Sequence, residues 1–76
     1  MILKYIRTKN DDIIVFNDSI QHSEFKRFEP KSAGFISLSV DDQEISCNCY
    51  GQSISLNLKS DPEDTALAQK RLFNGY

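Results

Sequence analysis

Cys47-Asn48-Cys49, together with the only histidine of the chain, His22, is the constellation nearest to metal or thiol chemistry. Zinc prefers thiolate and imidazole ligands, and a thiolate beside a histidine is an activated nucleophile. The spacing works against both uses. Strand residues two apart stand about 6.6 Å from one another with parallel side chains. Two thiolates on one zinc ion, each about 2.3 Å from it, must come within about 4 Å of each other. A metal site would need a bulge in the strand and a fourth ligand from Asp or Glu, and the same separation bars a disulfide between the two. Both cysteines alternate in phase with Ile45, which places them on an apolar strand face, where burial raises a thiol's pKa and shields it. Neither paired carboxylates at a catalytic spacing nor a serine-based motif stands out, and Gly34, Gly51 and Gly75 are isolated rather than part of a phosphate loop. The expectation is a chain with no catalytic residue, cofactor or metal.

The carboxylates offer a binding reading instead. Asp41, Asp42 and Glu44 surround a predicted turn, and Asp61, Glu63 and Asp64 a predicted helix start. Local preferences explain both groups, since turns favour Asp and helix starts favour Asp and Glu. In the predicted meander, however, that turn lies at the end of the sheet where the third strand finishes and the last helix begins. All six residues are then expected to share one acidic edge, a docking surface for a protein with a basic site, of the kind that normally holds nucleic acid. The alternative is nucleic-acid binding by a local basic patch of Lys26, Arg27, Lys31, Lys70 and Arg71, with Tyr5, Phe35 or Tyr50 stacking on bases. Against it, the polar sheet face made by Ser37, Ser39, Ser46, Asn48, Ser53, Ser55 and Asn57 carries no Lys or Arg to neutralise phosphate. Such a face is ordinary solvated sheet, or a flat surface for a partner with Phe35 and Tyr50 as anchors at its margins.

The elements that position these residues follow from the hydrophobic period. Ile2 to Thr8 and Ile13 to Phe16, joined by Lys9-Asn10-Asp11-Asp12, read as a hairpin. Ile13, Ile14, Val15 and Phe16 are apolar on both faces, so this strand needs cover from the chain's own helices or from a second copy. Asn17, Asp18 and Ser19 are N-cap candidates for a short helix over 19–28, which Pro30 ends. From Ala33 the period becomes two. Ile36, Leu38 and Val40, then Ile45, Cys47 and Cys49, then Ile54, Leu56 and Leu58 alternate with polar or aromatic neighbours, predicting a three-stranded antiparallel meander joined at Asp41-Asp42 and Tyr50-Gly51-Gln52. Asp61 as N-cap and Pro62 at the first helical position start a helix that runs to about Phe73, with Gly75 as its terminator. The predicted fold is α+β, a small antiparallel sheet in the order ββαβββα with two helices.

Length and composition set the outer bounds. The 76 residues fit one domain, and 39% hydrophobic with 26% charged residues is the composition of a folding chain. A net charge of −2 gives no general attraction to nucleic acid or to anionic membrane. With no apolar run of bilayer length and no signal-peptide pattern at Met1 to Lys9, a cytoplasmic address is expected and a membrane partner is not. Two closely spaced cysteines do not make a disulfide framework, and reduced thiols are expected.

Three segments, Ser32-Ala33-Gly34-Phe35, Gly51-Gln52-Ser53-Ile54-Ser55-Leu56 and Asp61-Pro62-Glu63-Asp64-Thr65, together resemble small proteins carried on bacterial phages and other mobile elements. The resemblance covers about half of the chain and assigns no site residues. It implies a protein that binds and blocks host machinery, as anti-CRISPR proteins do.

Overall fold

The computed structural model describes residues Met1–Phe73. Strands β1 (Ile2–Arg7) and β2 (Ile13–Phe16) form the expected antiparallel hairpin, with Tyr5 opposite Val15 and Ile6 opposite Ile14. Its loop closes on Thr8, whose amide donates to Asp12 O (2.8 Å) and whose hydroxyl accepts from the amides of Asn10 and Asp12. A 3₁₀ helix, His22–Phe28, replaces the helix expected over 19–28. Asn17 is spent on a local turn instead of a cap, accepting from the Ser19 amide at its side chain and from the Ile20 amide at its carbonyl. The 3₁₀ segment stops at Glu29, held at φ 51 in the left-handed region, because Pro30 bars the residue before it from continuing a helix.

Strands β3 (Ser32–Asp41) and β4 (Glu44–Tyr50) are the first two strands of the predicted meander. They turn through Asp42 (φ 48) and Gln43 (φ 72), both in the left-handed region that a two-residue hairpin of this hand requires. β3 also pairs with β1, Tyr5 lying opposite Gly34, so the sheet runs β2-β1-β3-β4 and is antiparallel throughout. A Cβ at Gly34 would collide with the Tyr50 carbonyl, which fixes glycine there.

The third meander strand is not formed. At Gly51 (φ 79) the chain leaves the sheet. Only Gln52–Ser53 (β5) and Leu58–Lys59 (β6) pair, as a separate two-stranded ribbon. Between them the Ser53 hydroxyl accepts from the Leu56 amide (3.2 Å) and Asn57 sits at φ 56, so a local turn competes successfully with strand pairing. Leu56 and Leu58 consequently pack on the opposite sheet face from the one shared by Ile36, Leu38 and Cys47. Helix α1 (Asp64–Ala68) begins later than the predicted Asp61-Pro62 start, with Glu63 at its N-cap and 62–63 in a turn, and runs into a π-helical turn, Gln69–Phe73, as far as expected. The terminating role read for Gly75 lies outside the described residues. The fold is α+β, as predicted, with a four-stranded sheet in place of the meander. Among the described residues no helix is long and apolar enough to cross a membrane.

Each face of the sheet carries a core cluster, while Val40 and Ile45 near the β3–β4 tip stay exposed. One face buries Tyr5, Ile36 and Ala68, with Val15, Cys47, Cys49 and Leu72 packed around them, beneath α1 and the turn that follows it. The other buries Ile6, Phe16 and Ala33 against Ile14, Phe25, Leu56 and Leu58. The doubly apolar β2 therefore contributes to both clusters within its own chain.

Helix α1 also occupies the position of the missing strand. Thr65 and Gln69, one helical turn apart, rise about 6 Å along the axis, close to the two-residue repeat of a strand. The Gln69 carboxamide accepts from the Cys47 amide (3.1 Å) and donates to Ile45 O (2.8 Å), as a neighbouring peptide group would. The Thr65 hydroxyl accepts from the Cys49 amide (2.9 Å). Open strand edges invite pairing with other chains, and here the β4 edge is closed by side chains. Replacing Gln69 by Ala removes two hydrogen bonds to edge groups and is predicted to cost about 1–2 kcal/mol in urea unfolding. Lys70→Ala, one exposed residue on, should change stability by under about 0.5 kcal/mol.

Candidate functional site

The six carboxylates expected on one edge lie at opposite ends of the sheet. Asp61, Glu63 and Asp64 converge on Arg7, at the end where Arg7 faces Ser32. Asp41, Asp42 and Glu44 form the tip of the β3–β4 hairpin, nine residues further along β3 and thus about 30 Å away. The shared edge required a third meander strand to carry the chain back from the turn to the helix, and that strand does not exist.

The helix-start group is internal structure. Asp64 is fully buried. One carboxylate oxygen accepts from the Tyr5 hydroxyl and from the Asp61 amide (2.9 Å), the other from Arg7 (3.2 Å). The Asp61 carboxylate in turn accepts from the Glu63 amide (2.8 Å), so the two aspartates hold the turn that leads into α1. Arg7, with 11% of its side chain exposed, also holds Asp11 (3.1 Å), which Lys31 shares (2.6 Å). Burial, then the bond to Asp64, pushes the Tyr5 phenol well above its ordinary range. Tyr5 is thereby removed from the residues available for base stacking.

The cysteines face the helix-covered core. Burial pushes the Cys49 thiol up to about 12 and raises Cys47 as well, so both are protonated near neutrality. His22 lies on the other face of the sheet, its ring edge-on to Phe16 and Phe35 and its Nε2 2.8 Å from Gly34 O. Among the described residues no three His, Cys, Asp or Glu side chains are grouped as a metal site would need. The basic residues do not assemble either. Lys26 and Arg27 belong to the 3₁₀ helix on one face, where Arg27 stacks on Phe28 at 4.9 Å, whereas Lys70 and Arg71 belong to the turn that covers the other face.

What the fold does assemble is a groove of about 530 Å³ beside His22. Phe35 and Tyr50, paired across β3 and β4, stack with ring centroids 6.0 Å apart. Gly51 lies against the Phe35 ring, and the departure of the chain there raises Ile54 beside the two aromatics. Ile54 is 86% exposed and Tyr50 37%. Lys4 and Gln21 complete the lining, Lys4 lying across the strands from both Phe16 and Phe35. The sequence pattern identifies Phe35 and Tyr50 as marginal anchors. It misses Ile54, which period two assigned to the apolar face of a third strand, and Lys4, which belongs to no motif.

Asp64→Ala leaves the buried Tyr5 hydroxyl without its acceptor, while Arg7 keeps Asp11, Asp61 and Glu63, and should cost about 1–3 kcal/mol in urea unfolding, whereas Glu63→Ala, at an exposed position, should cost under about 0.5 kcal/mol. Burial lowers the His22 pKa below its ordinary 6.5, with Lys4 adding repulsion. A lowered pKa means that the unfolded chain takes up the proton first, so stability present above pH 6.5 is lost as pH falls below it. The urea midpoint should drop between pH 7.5 and 5.5, and His22→Gln should flatten that drop. No protein-family model, curated protein or solved structure matches the chain.

Proposed function

We propose that the chain is a non-enzymatic protein-interaction module that receives its partner in the groove of Phe35, Tyr50 and Ile54. The observation that carries this reading is the exposure of Ile54 beside a stacked aromatic pair at the mouth of that groove. Large apolar side chains gathered at a concave, solvent-facing site are a common mark of partner recognition, and aromatic anchors in pockets dominate binding energy. The groove replaces the acidic edge as the proposed docking surface, since three of those six carboxylates are engaged by Arg7. The resemblance to mobile-element proteins supports an inhibitory action, in which the module occupies a site on a host protein.

Affinity capture from the native cells, read by mass spectrometry, tests the proposal. A partner retained by the wild type should fall about tenfold or more with Tyr50→Ala and Ile54→Asp, the loss expected of interface anchors. It should persist with the double variant Asp41→Lys, Asp42→Lys. Capture lost only in the hairpin-tip variant, or insensitive to all of them, would contradict the groove.

A further inference from the structure

We propose, building on that reading, that the groove binds a short acidic peptide segment of the partner, with an apolar side chain against Tyr50 and Ile54 and a neighbouring side-chain carboxylate on Lys4. Lys4 projects from the central region of a sheet face, half-buried between Phe16 and Phe35. Its ammonium donates to Ile20 O at 2.9 Å. An ammonium has three protons to donate, and two remain. Arg7, Lys9 and Lys31 each hold a carboxylate, while among the described residues Lys4 holds only that carbonyl. None of the described residues lining the groove is acidic, in a chain with 11 acidic against 9 basic residues. The groove is therefore a local positive site on a negative molecule, with the cation at one end and exposed apolar surface at the other.

That pairing selects the occupant. A carboxylate on Lys4 makes a charge-assisted hydrogen bond, stronger than a neutral one. An apolar neighbour fills the space beside Tyr50 and Ile54. A nucleic-acid strand would bring a phosphate at every nucleotide to a site with a single lysine, on a protein that repels it overall. Basic segments would meet Lys4 with like charge.

A random octapeptide display library selected on the full chain tests the proposal. Enriched peptides should pair Asp or Glu with an aromatic or aliphatic residue within two positions and should be lost on Ile54→Asp. The best peptide, resynthesised, should bind about five- to tenfold more weakly when its acid becomes the amide. On Lys4→Met, which keeps the aliphatic stem, the two peptides should differ by less than about twofold. An unchanged urea midpoint and circular dichroism spectrum would certify that variant as folded. Peptides lost on Ile54→Asp but free of acidic preference would overturn the acidic occupant and leave the protein-binding reading standing. Absence of any peptide sensitive to Ile54→Asp would remove both. Binding of a dodecathymidylate strand that Lys4→Met abolishes would overturn the peptide in favour of single-stranded nucleic acid.

Discussion

A carboxylate with no access to water, that of Asp64, accepts hydrogen bonds from the Tyr5 hydroxyl, from Arg7 and from the Asp61 amide. Burying an ionised group is costly unless its partners satisfy it, and a half-satisfied site is worse than none. The chain therefore has one favourable way to bring its helix onto the sheet: Asp64 must sit over Tyr5 while Arg7 closes the end. Once Asp64 is seated, the direction of α1 follows, and Thr65 and Gln69 fall beside Cys49, Cys47 and Ile45. The same seating brings Ala68 and Leu72 onto Tyr5 and Ile36. Polar satisfaction and apolar burial specify the same docking, which is the consistency that singles out one fold from its competitors.

The functional surface is what this arrangement leaves over. Seating the helix closes the β4 edge, and Arg7 engages the carboxylates nearest to it. On the opposite face the chain departs at Gly51 instead of adding a strand, so Phe35 and Tyr50 are left beside an exposed isoleucine rather than beneath a neighbour. The groove exists because the third strand does not.

The sequence contained most of the fold and part of the site. Apolar richness around a polar turn marked β1 and β2, period two marked β3 and β4, and the Asp61-Pro62 signal marked the last helix to within a few residues of its start at Asp64, because these signals are local and no tertiary contact opposes them. Ile54, Leu56 and Leu58 carry the same period, yet the Ser53 hydroxyl and the left-handed Asn57 turn the chain back on itself, and no strand edge remained for it to join. That competition is invisible to alternation alone. The acidic edge failed with the strand that was to build it. A usable signal was present: Arg7 alternates in phase with Leu3 and Tyr5 on the core face of β1, and an arginine there demands a buried carboxylate. Lys4, in phase with Ile2 and Ile6, carries a similar message for the other face. Neither residue forms part of a recognised motif, so each has meaning only once its neighbours are known.

Amide hydrogen exchange at Cys47 and Cys49 tests directly whether α1 stands in for the missing edge strand. With Gln69 and Thr65 holding those amides, both should exchange at least about a hundredfold more slowly than an unstructured peptide, as interior ladder amides do. Exchange at both positions within a few-fold of the unstructured rate would mean that the edge is open, and with it the account of how Asp64 seats the helix would fall.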